Sequence, residues 1–400
     1  MKVLFVISQL PYPPDTGAKI RTFNLLKRVA SDYEITLISF GREEKEKEKI
    51  EALRKFCKRI ILISEKKSKW TSFLCSIAGR LPYSIRRYYS SKMERLIKKL
   101  INSENFDLIH CDSLQMSFNL RSVNSIPKVL TEHNVESQIW QRWASEEKNF
   151  LKRYFIKGQY KKISCYEFEI LKMFDCCIAV SEEDKKIIEE NSQIKKVWVV
   201  PNGVDCDYFD PDKMKSLHLL EKEFSLIFTG SLDWYPNQDA LIYFFTEIYP
   251  LLKKRIPQIS INIVGRNPSK SILKFARRDN SINIVGRVED IRPFIFTSQI
   301  FVVPLRIGGG TRLKILEAMA MAKPVISTSV GAEGLGVTRE ENIILADNPY
   351  EFASKILRLF EDKNLREKIG KNARQFVKEK YDWNIVAEKL VKVWKEMIII

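Results

Sequence analysis

The chain has 400 residues, a length that exceeds one ordinary hydrophobic core and predicts two domains. Its 45% hydrophobic content, with 15 Gly and 15 Pro, is typical of a globular protein rather than a low-complexity one. The 67 Lys and Arg outnumber the 50 Asp and Glu, which gives a net charge of +17 and favours anionic partners such as phospholipid, phosphate groups or nucleic acid.

Cysteine, histidine and apolar segments argue against three further classes of protein. The seven cysteines are scattered without a C-x-x-C pair, which favours a reducing compartment over a disulfide framework. Only three histidines are present, which argues against a His-rich metal site. The apolar run in MKVLFVIS is too short for a signal peptide, and no run reaches the roughly 20 apolar residues of a membrane span. We therefore expect a cytoplasmic protein.

Short apolar runs typical of buried strands alternate with amphipathic helical runs through the first half of the chain. The run Ala18–Ala30, for example, places Ile20, Phe23 and Leu26 on one helical face. Such alternation predicts a parallel sheet covered on both faces. The predicted strands are Val3–Ile7, Ile35–Ser39, Ile60–Ile63, Leu108–Cys111, Val129–Thr131, Cys177–Val180 and Val197–Val200.

The same alternation of strand-like and helical runs begins again after PNGVD at 201–205. The predicted strands are Leu226–Thr229, Ile259–Val264, Ile282–Val285, Ile300–Pro304 and Val325–Ser327, and the predicted helices begin near Asn237, Ser269, Glu289, Thr311 and Pro349. A last amphipathic run covers Asn384–Met397. We expect a first α/β domain at 1–203, a second at 204–380, and a terminal helix in 381–400 that packs back on the first domain.

The segment LRIGGGTRLKILEAMAMAKP at 305–324 joins a predicted strand to a helix from about Thr311 to Ala322. Ligands of parallel sheets bind beyond the carboxyl ends of the strands, and a helix N-terminus favours phosphate. Arg312 and Lys314 add positive charge there, while Glu317 can accept hydrogen bonds from the two hydroxyls of a ribose. We interpret the segment as a nucleoside diphosphate site; a tight turn with surface charges is the alternative.

GGGTRLKILEAMAMAKPVIST and PNGVD resemble the C-terminal half of retaining GT-B glycosyltransferases of the family 4 type. The resemblance implies two Rossmann-like domains with parallel sheets facing across a cleft, and a UDP-sugar or GDP-sugar donor. It also implies retention of anomeric configuration and no required metal or cofactor. Glu317 matches the second glutamate of the family's Glu-x7-Glu pair, which binds ribose.

Two departures from the family pattern change the expected contacts. The position of the first glutamate holds Gly309, so backbone amides of Gly309, Gly310 and Thr311 are candidates to replace it. The segment TGSLDW, which contains Gly230, lacks the usual phosphate-binding lysine. We expect Arg312 and Lys314 to supply this charge and to act catalytically by neutralising the departing diphosphate, with Arg266 as a further candidate.

Two strand ends in the first half resemble the other side of the family's cleft. The segment PYPPDTGA at 11–18 resembles its glycine loop, so Gly17 and Lys19 are candidate substrate-binding residues, with Arg21 as another source of charge. His133 in TEHN at 131–134 is a candidate catalytic residue that faces the cleft, and Asn134 is a candidate substrate-binding neighbour. A hydrogen-bonded structural histidine is the alternative.

Residues 51–100 contain 14 basic and 3 acidic residues, and aromatic and basic residues recur between 140 and 162. This composition indicates either an anionic membrane surface as a partner, at the inner face of the cell membrane, or ordinary helices with a solvated basic face.

The leading hypothesis is a hexosyl-type glycosyltransferase of EC class 2.4. It would transfer sugar to a glycan or lipid-linked acceptor in bacterial polysaccharide or cell-envelope biosynthesis. The alternatives are a GT-B sugar-nucleotide epimerase and a basic nucleic-acid-binding protein. The sequence has no zinc-finger, RRM-like or helix-turn-helix signature, which argues against the second alternative. We therefore expect no nucleic-acid partner.

Overall fold

The computed structural model describes residues 1–65, 69–147, 149–307 and 311–399. It divides into two α/β units. The first comprises Met1–Pro201 and Val386–Ile400, and the second comprises Asn202–Ile385. Each unit is built around its own parallel sheet.

The first unit contains seven strands, and the apolar residues of the central strands are buried. The seven strands are β1 (Lys2–Val6), β2 (Glu34–Phe40), β3 (Arg59–Ile63), β4 (Leu108–Cys111), β5 (Lys128–Thr131), β6 (Cys176–Ala179) and β7 (Val197–Val199). All neighbours pair in parallel, in the order β3-β2-β1-β4-β5-β6-β7. Strands β4 and β5 therefore lie side by side, and their carboxyl ends share one edge of the sheet.

Among the described residues before position 202, eight α-helices accompany this sheet. They are α1 (Gly17–Val29), α2 (Glu43–Leu53), α3 (Lys69–Ala78), α4 (Tyr83–Tyr88), α5 (Ser91–Ser103), α6 (Glu136–Glu146), α7 (Phe150–Ile170) and α8 (Glu182–Asn191). Several begin where the sequence supplies a cap: the Ser90 hydroxyl accepts from the N–H of Met93, and that of Ser181 from the N–H of Asp184.

The second unit contains six strands in the order β10-β9-β8-β11-β12-β13, again all parallel. They are β8 (Ser225–Thr229), β9 (Ser260–Val264), β10 (Ile282–Gly286), β11 (Ile300–Val303), β12 (Val325–Ser327) and β13 (Ile344–Leu345). Two parallel, Rossmann-like sheets confirm the fold class expected from the sequence.

The helices from residue 211 onwards complete the second unit, and the last one continues into the first. They are α9 (Pro211–Lys215), α10 (Tyr235–Tyr243), α11 (Tyr249–Arg255), α12 (Lys270–Arg278), α13 (Arg292–Thr297), α14 (Leu313–Ala320), α15 (Pro349–Glu361), α16 (Lys363–Lys380) and α17 (Trp383–Ile399).

Several boundaries differ from the sequence-based expectation. The helix expected near Glu289 begins at Arg292, whose backbone N–H is bonded to the Asp290 carboxylate at 2.9 Å. The helix expected from Thr311 begins at Leu313. Strand β13 and helix α16 were not predicted. The first is only two residues long, and the second is so rich in lysine, arginine and glutamate that its buried apolar positions do not stand out.

Helix α14 ends in a Schellman motif. The N–H of Lys323 bonds the carbonyl of Ala318 at 3.0 Å, and the N–H of Ala322 bonds that of Met319 at 2.9 Å. Ala322 has a φ of 54°, a left-handed conformation that favours glycine. The family resemblance places a glycine at this position. Because this chain has alanine there, the left-handed conformation costs free energy.

Candidate functional site

The carboxyl edge of the second unit's sheet carries Arg312 and Lys314, two of the residues that the sequence analysis singled out. Arg312 is the N-cap of helix α14 and is only 6% exposed. The Thr311 hydroxyl is buried and has no hydrogen-bond partner among the described residues. Gly309 and Gly310 lie outside the described part of the chain. The helix therefore presents its first turn beside buried polar groups.

Lys314 lies in the first turn of helix α14 and points to the end of strand β8. Its Nζ donates to Asn237 Oδ1 at 2.8 Å and lies 4.2 Å from the centre of the Phe228 ring. A Cβ built on Gly230 would fall 2.8 Å from the same Nζ. Gly230, with a φ of 147°, thus leaves bare backbone directly beside a lysine ammonium.

The two ionisable groups of this helix face have strongly shifted pKa values. Burial lowers the pKa of Lys314 to about 7, and the positive charge of Arg312 lowers it further while Glu317 opposes the shift. Burial raises the pKa of Glu317 to about 7, against the effect of Lys314. The sequence analysis places positive charge at Lys314, and burial makes that charge unfavourable in the free protein.

The loop after strand β8 is tied to the loop after strand β9. The N–H of Leu232 bonds the carbonyl of Arg266 at 2.9 Å, and Arg266 Nε donates to Ser231 Oγ at 3.1 Å. A Cβ on Gly265 would lie 1.8 Å from the carbonyl oxygen of Gly230, so the two loops touch through bare backbone. Arg266 is exposed and braces the 230 loop through these two bonds.

The first unit has a cavity of about 210 Å³ at the carboxyl edge of its own sheet. Two segments that the sequence analysis proposed, the loop before helix α1 and the end of strand β5, supply much of its lining, and the end of strand β4 supplies more of it. The polar lining residues are Ser8, Gln9, Lys19, Thr22, Asp112, Ser113, Gln115, Glu132, His133, Asn134 and Glu136. The cavity is small and most of its lining residues are polar, which suits one hydroxyl-bearing group rather than a large apolar ligand.

His133 and Asn134 both line this cavity, whereas Gly17 does not. His133 Nε2 donates to the backbone carbonyl of Asp112 at 2.7 Å, because a carbonyl can only accept. The Nε2 atom of His133 is thus held by the backbone, and its Nδ1 has no bond to any described residue. Lys19 lines the cavity with its ammonium bonded to Asp15 at 2.9 Å.

Arg21 has a different role from the one expected. It is 1% exposed, and its guanidinium donates to the carbonyls of Pro201 at 2.6 Å and Val200 at 2.8 Å. The side chain therefore connects helix α1 to the two residues that directly follow strand β7. It does not line the cavity. Burial lowers its pKa to about 10, and the charge of Asp112 opposes this shift.

Asp112 is a buried carboxylate that sequence reasoning missed. Thr22 Oγ1 donates to its Oδ2, and its Oδ1 lies 3.7 Å from His110 Nε2 and 3.6 Å from His133 Nε2. Burial alone would raise the pKa of Asp112, but the two imidazoles lower it more, so the group stays ionised. Its place directly after strand β4, next to the end of β5, was the available signal.

Three more carboxyl groups meet beside the cavity. Glu167 accepts from the N–H groups of Glu136 at 2.6 Å and Ser137 at 3.0 Å, and so caps helix α6. Glu132 is 1% exposed, and neither of its oxygens has a hydrogen-bond partner among the described residues. Burial and the nearby charges of Glu167 and Glu136 raise the pKa of Glu132 well above its usual range.

The chain matches two family models that together span most of its length. Residues 16–208 match the model of glycosyltransferase family 4, and residues 223–362 match that of glycosyl transferases group 1. The chain belongs to the family 4 glycosyltransferases. The resemblance read from the segments near residues 201 and 305 is thereby confirmed.

Two relatives illustrate the range of this family. The capsular polysaccharide biosynthesis glycosyltransferase CapM of Staphylococcus aureus is 27% identical over 61% of this chain and 67% of its own length. The UDP-Gal:α-D-GlcNAc-diphosphoundecaprenol α-1,3-galactosyltransferase of Escherichia coli is 24% identical over 75% of this chain and 78% of its own.

Solved structures share the fold of this family 4 glycosyltransferase. Anabaena HepE, in complex with UDP, is similar with a TM-score of 0.72 at 15% identity, over 99% of this chain and 100% of HepE. This likeness supports the GT-B fold class.

Metal-binding clusters and membrane-spanning helices are both absent from the described residues. No group of three or more His, Cys, Asp or Glu in that part of the chain is arranged to hold a metal ion. None of the helices there combines the length and apolarity that crossing a membrane requires.

Proposed function

We propose that this glycosyltransferase moves a hexosyl group from a UDP-sugar or GDP-sugar to a glycan or lipid-linked acceptor, with retention of anomeric configuration. It would act in bacterial polysaccharide or cell-envelope biosynthesis. The second unit would bind the donor, and the cavity of the first unit would bind the acceptor. Relatives that act on UDP-galactose and in capsular polysaccharide biosynthesis support this assignment.

The observation that carries the proposal is the Lys314 ammonium beside the bare backbone of Gly230. A lysine with a pKa lowered to about 7 is an unfavourable arrangement in the free protein. A diphosphate at the first turn of helix α14 would restore its charge and accept hydrogen bonds from backbone N–H groups. As the sugar–phosphate bond breaks, the same groups would stabilise the negative charge that grows on the leaving diphosphate.

Glu317 supports a nucleotide rather than an inorganic anion at this site. It lies one turn further along helix α14 than Lys314 and has a raised pKa, so it titrates close to neutral pH. In its ionised form it can accept two hydrogen bonds from the vicinal hydroxyls of a ribose. The carboxylate would repel a free phosphate but would suit the sugar end of a nucleoside diphosphate.

Thermal-shift measurements with UDP-, GDP- and ADP-sugars test the donor assignment. A ligand that binds only the native state raises its melting temperature. We expect one base to give a clear rise that Glu317→Ala and Arg312→Ala each abolish. The matched controls are Glu361→Ala and Arg358→Ala, two exposed residues of helix α15. The donor site is misplaced if the two site variants respond to the nucleotide sugar as the controls do.

An exposed apolar surface on the first unit supports a membrane-bound acceptor. Helices α3 and α7 pack through the rings of Phe73 and Phe155, whose centres are 4.9 Å apart. Around this contact several large apolar side chains are more than half exposed, namely Trp70, Leu74, Ile77, Phe150, Leu151 and Tyr154. The exposed basic residues Arg153 and Lys157 lie on the same helix α7. Aromatic and aliphatic side chains beside basic ones suit the interface of an anionic bilayer.

Sedimentation with vesicles tests this membrane proposal. We expect the protein to bind vesicles rich in anionic phosphatidylglycerol, and to bind zwitterionic phosphatidylcholine vesicles less. The triple variant Trp70→Ser, Phe150→Ser, Leu151→Ser should lose binding. A control variant with Tyr350→Ser and Leu220→Ser removes equally exposed apolar side chains from the second unit and should keep it. Equal behaviour of the two variants would contradict this surface.

The epimerase alternative makes a different prediction. An epimerase converts the nucleotide sugar without an acceptor, whereas the proposed transferase gives product only when an acceptor is added. Incubation of the responding nucleotide sugar with and without acceptor therefore separates the two activities.

A further inference from the structure

His110, at the third position of strand β4, is a buried histidine whose two ring nitrogens are both bonded. Trp394 Nε1, on helix α17, donates to His110 Nδ1 at 3.0 Å, and His110 Nε2 lies 3.0 Å from Thr131 Oγ1. The His110 ring also stacks on Phe5 at 4.3 Å, with an angle of 14° between the planes. These contacts hold both the position and the orientation of the imidazole.

The tautomer of His110 follows from its partners. An indole N–H can only donate, so Nδ1 must be the unprotonated acceptor. The single proton of the neutral ring is then on Nε2, where it faces Thr131 and the carboxylate of Asp112, 3.7 Å away. Protonation of Nδ1 would set two N–H donors against each other. Trp394 therefore opposes the imidazolium form.

A positively charged His110 would change the environment of Asp112. Besides the two imidazoles, the charged group that acts on this carboxylate is Arg21. Asp112 accepts from Thr22, and its backbone carbonyl holds the Nε2 of His133 at the cavity. A second cation at His110 would attract Asp112 Oδ1, which lies 3.7 Å and 3.6 Å from the Nε2 atoms of His110 and His133 and has no hydrogen-bond partner among the described residues.

We propose that Trp394 is a positioning residue for the cavity: its indole N–H fixes His110 as the neutral Nε2-protonated tautomer, so that no second positive charge draws the Asp112 carboxylate from its place beside His133. This inference takes the acceptor cavity from the proposed function, but it concerns a bond within the free protein. A hydrogen bond between residues 284 positions apart thus links the last helix to the site.

Nitrogen-15 NMR of the histidine rings tests the inference directly, because the chain contains only three histidines. His133→Gln and His218→Gln variants assign the signals. In the wild type we expect His110 to show an unprotonated Nδ1 and a protonated Nε2. In Trp394→Phe, which keeps the aromatic ring but loses the donor, the Nδ1-protonated form should appear and the midpoint of His110 protonation should rise.

The ring signals of His133 test whether His110 affects His133 through the Asp112 carboxylate. In Trp394→Phe the ring signals of His133 should change with the same midpoint as those of His110. The control is Trp198→Phe, since the indole N–H of Trp198 is buried and bonds no described residue. This variant should leave the His110 signals as in the wild type.

Three results would overturn the proposal. They are a wild-type His110 protonated at Nδ1, a Trp394→Phe spectrum identical to the wild type, and a His133 signal that does not follow His110. The wild-type spectrum decides the tautomer even if Trp394→Phe does not fold. Failure of nucleotide-sugar binding would instead count against the proposed function alone.

Discussion

Replacing Lys314 with methionine should have opposite effects on stability and on ligand binding. In the free protein the substitution removes an ammonium that burial disfavours, and methionine has a similar length. A pKa lowered from 10.5 to about 7 corresponds to roughly 5 kcal/mol of unfavourable free energy for the charged form, at about 1.4 kcal/mol per pKa unit. The variant also leaves Asn237 Oδ1 without its donor, a loss of about 1–3 kcal/mol.

The net expectation for Lys314→Met is a free energy of unfolding about 2–4 kcal/mol higher than the wild type at pH 6, by urea denaturation. The unfavourable contribution of Lys314 is fully present below pH 7, where both folded and unfolded states are protonated. It fades as pH rises from about 7 towards 10.5, because the folded state has already lost its proton. The advantage of the variant should therefore shrink between pH 7 and pH 9.

The same variant should no longer be stabilised by the nucleotide sugar that stabilises the wild type. The matched control is Lys323→Met, which removes a buried lysine whose ammonium is bonded to Glu221 at 2.6 Å. We expect this control to gain less stability than Lys314→Met, because Glu221 offsets part of the burial that lowers the pKa of Lys323, and to keep its ligand response. A Lys314→Met variant that is no more stable at pH 6 and still responds to ligand would refute the reasoning.

Two further predictions concern stability alone, each measured by urea denaturation. Ala322→Gly should raise the free energy of unfolding by about 0.5–1 kcal/mol, because glycine relieves the left-handed strain at the end of helix α14. The control Ala320→Gly, at the last helical residue of α14, should lower it. Glu132→Gln should stabilise the protein more at pH 8 than at pH 5. The raised pKa of Glu132 makes its carboxylate increasingly unfavourable as pH rises above the unfolded value near 4.5, and a gain that is larger at pH 5 would contradict this assignment.

Much of the candidate site could be predicted from local sequence. In the sequence, the glycines stand between strand β11 and helix α14, and the strand-to-helix rule alone places Arg312, Lys314 and Glu317 at the carboxyl edge of a sheet. His133 and Asn134 follow from the same rule applied to strand β5. These inferences need only the order of elements and the period of the apolar residues.

Other features needed the folded chain because they join distant segments. Arg21 looked like a ligand-binding charge, yet it bonds carbonyls about 180 positions away. Asp112 gains its importance only because strands β4 and β5 lie side by side and bring His133 to it. Burial brings the pKa values of Lys314 and Glu317 both to about 7. No local sequence pattern reports this burial.

The sequence by itself determined two parallel α/β units, the polarity of their strands and the family to which the chain belongs. These properties depend on periodicity and short motifs, which are local along the chain. Only the tertiary structure decided which polar groups meet and with what charge, including the pairing of Trp394 with His110. Burial and long-range contact set those charges, and both arise only when segments far apart in sequence pack together.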